Sequence, residues 1–168
     1  KIMSKNNLEI ERKFLIEYPN FELIKYRSKV EISQSYLTRV NPNVERRIRA
    51  WIQDNSAKYY YTEKMFLTGF TRQEVEREIS KTEYDKLSLE VDSSIVTVEK
   101  VRYLLDYNHL TFEIDVYPFS KVLAIMEVEL ESETQQYTIP KDIKVLKEVT
   151  GIKEFGNIPL CTARTFPV

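Results

Sequence analysis

With 168 residues, 42% hydrophobic and 30% charged, the chain reads as one globular domain over residues 1–168, large enough to bury a core. Its 25 basic and 26 acidic residues leave a net charge of −1, which excludes a general electrostatic affinity for nucleic acid or membrane, so any attraction for an anion must be local. One cysteine, Cys161, rules out an internal disulfide and, with one histidine, a Cys/His zinc cluster, which makes a reducing, cytoplasmic setting the default.

Residues 1–7 lack the apolar stretch of a signal peptide and are expected to lie outside the fold, disordered or foreign to the natural chain. No apolar run approaches the ~20 residues of a membrane span. Alternation then predicts a strand over Leu8–Ile16, which puts Glu9, Glu11 and Lys13 on one face. A helix is expected over Phe21–Lys29. Strands follow over Ile32–Val40, Val44–Ile52, Lys58–Leu67 and Arg72–Ile79. The breaks between them, Asn41-Pro42-Asn43, Asp54-Asn55-Ser56 and Thr68-Gly69, suit hairpins. Ser80 or Thr82 would cap a second helix over Thr82–Val91. Three more strands, Ile95–Leu105, Leu110–Tyr117 and Leu123–Glu131, complete a set of eight, with a turn at Tyr107-Asn108-His109. Pro140 opens a third, C-terminal helix over Pro140–Val149.

Like charges recur at strand spacing: Arg47/Arg49, Glu74/Glu76, Lys100/Arg102, Glu113/Asp115 and Glu127/Glu129. Any one pair reads as solvated surface. Together, opposite apolar residues, they favour a mainly β (α+β) fold. This is a closed eight-stranded antiparallel barrel with a few helices outside, and its narrow bore is lined with ions. Converging carboxylates repel by about 4 kcal/mol per pair at 4 Å and an effective dielectric of 20. Lysine, arginine or a divalent ion must offset that, and oxygen-only ligands favour Mg²⁺ or Mn²⁺ over zinc. The basic residues Arg47, Arg49, Lys64, Arg72, Lys100 and Arg102 would in turn be relieved by a small polyanion.

The segments Glu9-Ile10-Glu11-Arg12-Lys13-Phe14-Leu15, Gln34-Ser35-Tyr36-Leu37, Arg47-Ile48-Arg49, Arg72-Gln73-Glu74-Val75-Glu76, Val98-Glu99-Lys100-Val101-Arg102-Tyr103, Phe112-Glu113-Ile114-Asp115-Val116 and Met126-Glu127-Val128-Glu129-Leu130 resemble, in order, the motifs of the CYTH or triphosphate tunnel metalloenzyme superfamily. In form the chain is most similar to the compact bacterial inorganic tripolyphosphatases. That resemblance implies an eight-stranded tunnel and metal-dependent hydrolysis of a triphosphate, most simply tripolyphosphate to diphosphate and phosphate. Glu9, Glu11, Glu127 and Glu129 would hold the metal, and the six basic residues would cradle the substrate. Glu74, Glu76, Glu113 and Asp115 would be further inward acids. Lys13 and Tyr36 would assist hydrolysis, Lys13 as a base or by orienting phosphate. The family's usual acidic and basic residues after Glu148-Val149-Thr150 are replaced by Ile152 and Glu154, which marks the C-terminal closure as different.

The alternatives within the fold are a class IV-like adenylate cyclase and a thiamine or nucleoside triphosphatase; a non-catalytic polyphosphate-binding module is the third. The expected partner is a small polyanion rather than nucleic acid or membrane, for a monomer or homodimer. Tyr59-Tyr60-Tyr61 is expected to be strand packing, His109 a surface turn residue, Cys161 an inert thiol and Trp51 a packing or tunnel-mouth residue.

Overall fold

A computed structural model describes residues 8–68 and 71–167. Strands β1 (Leu8–Glu17), β2 (Ser28–Tyr36), β3 (Val44–Gln53), β4 (Ser56–Phe66), β5 (Thr71–Ile79), β6 (Val98–Tyr107), β7 (Leu110–Val116), β8 (Leu123–Leu130) and β9 (Val145–Glu148) are joined by helices α1 (Lys81–Leu87) and α2 (Asn157–Ala163). The sheet runs β5-β4-β3-β2-β6-β7-β8-β1, and β1 pairs back onto β5 to close eight antiparallel strands into a barrel. Among the described residues, no helix is long and apolar enough to cross a membrane. The expectations for residues 1–7 lie outside the described residues, as does Gly69 of the Thr68-Gly69 turn.

Local chemistry explains the hairpins. Asp54-Asn55 joins β3 to β4 and Asn108-His109 joins β6 to β7, each pair with positive φ at both residues. That is the primed two-residue turn whose twist matches the strands, and Asn, Asp and His tolerate it best among residues other than glycine.

The apolar side of the alternating strands faces outward. Ile10, Phe14 and Ile16 of β1 join Leu105 of β6, Phe112 and Ile114 of β7, and Met126 and Val128 of β8 in the largest core cluster. Two irregular segments cover this cluster. The first, around residues 18–27, stacks Phe21 on Tyr103 with ring centroids 3.9 Å apart. The second contributes Tyr137, Ile139 and Ile143. On the other side of the barrel, α1 lays Tyr84 and Leu87 over Ile48, Tyr59 and Tyr61.

Two expected helices are therefore corrected. Phe21–Lys29 makes a single turn, held by Asn20, before β2 begins at Ser28. The spacing of Phe21 and Ile24 reflects two anchors on the outer core rather than a helical face. Pro140–Val149 contains strand β9, preceded by a left-handed Asp142 that interrupts any helix. The cause lies in β1. Among the described residues its pairing with β5 runs over Leu8–Ile10 and stops there, which leaves an edge that β9 takes up along Phe14–Ile16. The C-terminal helix is instead α2, which follows a 3₁₀ turn over Lys153–Phe155.

Candidate functional site

With the apolar faces outside, the charged faces meet inside the barrel. Glu9, Glu11 and Lys13 of β1 line one cavity with Arg47 and Arg49 of β3, Lys64 of β4, Arg72 of β5, Lys100 and Arg102 of β6, Glu113 of β7, and Glu127 and Glu129 of β8. Register sets the contacts. Glu11 lies opposite Glu129, and Glu127 lies between Lys13 and Glu113. Like charges directly opposite each other cost a sheet stability, so this wall requires cations.

Protein cations supply them in this structure. Lys64 Nζ donates to Glu9 at 3.2 Å and lies 3.5 Å from Glu74. Arg72 donates to Glu11 at 2.7 Å and lies 3.8 Å from Glu9. Lys13 pairs with Glu127 at 3.6 Å, and Arg49 pairs with Glu76. Asp115 is the most enclosed acid of the set. It accepts from Lys100 at 2.7 Å and from two guanidinium nitrogens of Arg102 at 2.7 and 2.9 Å, and Arg102 also pairs with Glu113.

The electrostatics follow these partners. Burial raises Glu11, and the negative charges of Glu127 and Glu9 push it further the same way. Burial also raises Glu127, yet Lys13, Arg102 and Lys100 outweigh it and hold this carboxyl down at about 2. Burial lowers Lys100 to about 8, with Arg102 adding to the shift and Asp115 opposing it. Burial and the neighbouring Arg47 lower Arg49 as well.

Two kinds of ligand suit this surface. The Nε atoms of Arg47, Arg49 and Arg72 are buried without a hydrogen-bond partner among the described residues, and such donors call for an anion. Glu9, Glu11, Glu127 and Glu129 form an all-oxygen donor set on neighbouring strands, which fits a hard divalent cation. Among the described residues no three acidic side chains yet converge as ligands. Glu9, Glu11 and Glu127 point at protein cations instead, so holding an ion requires exchanging those partners.

Tyr36 stands apart from this lining. It is 4% exposed, lies in an apolar cluster, and accepts a 2.5 Å hydrogen bond from Gln34 Nε2. Burial pushes its hydroxyl up to about 12. Lys13 and Tyr36 are thus each engaged elsewhere rather than with one another. Two lining residues, Gln34 and Asn157, were given no role from sequence. Gln34 was findable, since it shares a strand face with Tyr36. Asn157 lies beyond the barrel, where no alternation signals it.

The apolar cluster also stops one end of the bore. Leu15, Tyr36, Val98 and Ile125 continue the inward faces of β1, β2, β6 and β8, each two residues beyond a cavity-lining residue. Tyr117, Val149, Phe155, Leu160 and Phe166 pack among them. Asn157 lies where this stopper meets the charged cavity.

Residues 7–155 match the CYTH domain. Among solved structures, the chain resembles the inorganic triphosphatase NE1496 at 29% identity, covering 95% of this chain and 97% of that one with a TM-score of 0.54. Another structure of NE1496, described as a hypothetical protein, gives 30% identity over 95% and 99% of the two chains, also at 0.54. A conserved hypothetical protein from Pyrococcus furiosus shares the fold at 24% identity, with 75% and 80% coverage and a TM-score of 0.58. A comparison with curated proteins found no match. The domain match spans most of the sequence and coincides with the barrel and its charged bore: the chain belongs to the CYTH family.

Proposed function

We propose that this chain is a divalent-metal-dependent triphosphatase that cleaves inorganic tripolyphosphate to diphosphate and phosphate. One observation carries the reading. Arginines with unsatisfied buried donors share a single cavity with an all-oxygen acidic wall. The likeness to a protein described as an inorganic triphosphatase supports it.

In this reading Arg47, Arg49, Lys64, Arg72, Lys100 and Arg102 hold the phosphoryl oxygens, the arginines through paired N–H groups. Glu9, Glu11, Glu127 and Glu129 would hold Mg²⁺ or Mn²⁺, which when bound offsets charge on the phosphates and lowers the pKa of coordinated water. Water oxygen bonds to a terminal phosphorus as its proton passes to bulk water, the bridging P–O bond breaks, and diphosphate leaves with the bonding electron pair. Glu74, Glu76, Glu113 and Asp115 keep the cations positioned between turnovers. Lys13, already half of an ion pair with Glu127, orients phosphate rather than removing a proton. Tyr36 supports the floor of the site through Gln34. Catalysis so described rests on positioning and electrostatics.

A second reading has one observation in its favour. Trp51 and Tyr60 place their rings 6.1 Å apart beside Arg49, where an organic group attached to a triphosphate would find aromatic contact. Phosphate, cyclic AMP and thiamine diphosphate should be assayed from tripolyphosphate, ATP and thiamine triphosphate with Mg²⁺, Mn²⁺ or EDTA. The expected result is fastest phosphate release from tripolyphosphate, abolished by EDTA and by Glu9→Gln with Glu11→Gln in a chain that still folds by circular dichroism. Tight binding without turnover would leave only a polyphosphate-binding module. Undiminished activity in the double variant would remove the metal assignment.

A further inference from the structure

The stoppered end of the bore gives the site a direction. A chain of phosphates entering from the other end meets Asn157 where the apolar cluster begins. The orientation of that amide is fixed by chemistry. Lys100 Nζ lies 3.2 Å from Asn157 Oδ1, and an ammonium can only donate, so this atom is the carbonyl oxygen. The Tyr117 hydroxyl donates to the same oxygen at 2.5 Å. Both acceptor directions of Asn157 are then used by the protein. Its amide nitrogen, with two N–H groups, has no acceptor among the described residues. The residue lines the cavity, close to buried Lys100 and in the same lumen as the unpartnered Nε donors of Arg47 and Arg49. Two neutral donors beside a cation, at the closed end of a cationic bore, match the oxygens of a terminal phosphoryl group.

We propose that Asn157 is a substrate-reading residue, contacting the terminal phosphoryl of a linear polyphosphate that enters the blind bore end-on. The inference rests on the triphosphate reading above and narrows it. The substrate must present a free phosphoryl end, so a ring with the same number of phosphates is disfavoured. An organic substituent is acceptable only at the trailing end.

Calorimetric titration of the full chain with inorganic tripolyphosphate and with cyclic trimetaphosphate, in EDTA, tests this. The parent chain should bind the linear form more tightly than the ring. Asn157→Ala should weaken linear tripolyphosphate about tenfold, the effect of losing a charge-assisted hydrogen bond, and change the ring by less than twofold. Should Asn157→Ala lose its fold by circular dichroism, Asn157→Asp takes its place. The aspartate keeps an acceptor for Lys100 and Tyr117 while losing the N–H donors, and the linear form should again lose more than the ring. Equal losses for both ligands, or a linear affinity within twofold of the parent, would overturn the proposal. A parent chain that binds tripolyphosphate while Asn157 proves silent leaves the triphosphatase reading standing. A parent chain that neither binds nor hydrolyses linear polyphosphate defeats both.

Discussion

Asp115 shows how much of the site depends on a single carboxylate. It is 1% exposed and holds both Lys100 and Arg102, the latter through two nitrogens. Asp115→Asn leaves Lys100 and part of Arg102 as buried charges without that partner, although Arg102 keeps Glu113. Breaking a buried pair on one side costs about 3–5 kcal/mol, so a urea titration should show a loss of that order. Burial alone would raise the Asp115 pKa, but Arg102 and Lys100 outweigh it and hold the carboxyl well below its ordinary value. A depressed carboxylate stabilises the fold above its unfolded pKa and loses that contribution as pH falls. The stability gap between parent and Asp115→Asn should therefore be full near neutrality and shrink below about pH 4. A gap that widened under acid would contradict the ion-pair account. Alternation sufficed to turn Asp115 inward from sequence, and likewise Glu9, Glu11 and Arg102. It could not show which acid meets which base, because that depends on the register of β6 against β7 and of β1 against β5 and β8. For the same reason Tyr36 was grouped with Lys13 on resemblance, while the structure seats it in the apolar stopper.

Elements were legible where their periodicity answered to burial on one face. All eight barrel strands alternate, and each was readable within a few residues of its bounds. Helix α1 was visible through its start signal: Ser80 Oγ accepts from the Glu83 backbone N–H at 3.0 Å, and Tyr84 and Leu87 follow on the packed side. A seven-residue helix, about two turns long, depends heavily on its cap. Ser80→Ala should cost about 1 kcal/mol, read as a lower urea midpoint at unchanged slope. A loss under 0.3 kcal/mol would mean that Tyr84 packing alone holds α1 in place. Segments that were misread share a different cause. Residues 140–149 have a helix-compatible pattern, but their conformation is decided by the exposed edge of β1, a partner more than a hundred residues away. Val149 N–H donates to Lys13 O at 2.8 Å, and Lys13 N–H donates to Thr150 Oγ1 at 2.9 Å, completing that edge. Helix α2 gave no sequence signal because its purpose is to fill the barrel end with Leu160, and a single buried side chain sets no period.

At the scale of the whole molecule, closure of the barrel and function of the bore are one problem. Among the described residues the ring is completed by three residue pairs, Leu8 with Gln73, Glu9 with Arg72 and Ile10 with Thr71, whereas β1 pairs with β8 over eight. Ion pairs reinforce that short seam from inside. Arg72 reaches across it to Glu11 and Glu9, and Lys64 reaches across to Glu9. Where the described pairing of the ring is shortest, local opening should be least costly. A polyanion bound between Lys64 and Arg72 on one side and Lys13 on the other would tie the two edges together. Ligand present at a hundred times its dissociation constant stabilises the bound form by about 2.7 kcal/mol, and opening the seam forfeits that contribution. Hydrogen exchange with and without tripolyphosphate should therefore show the largest gain in protection at amides of Leu8–Ile10 and Thr71–Gln73. Smaller changes are expected between β6 and β7, which stay paired whether or not the ring opens. Equal protection across all strands would mean that the barrel opens only by global unfolding. Protection confined to β6 and β7 would place the ligand on the far wall, away from Arg72 and Lys64. The seam residues are also the ones that bring the acidic wall against the basic one, so the contacts that close the ring at this point also give the bore its two-signed surface.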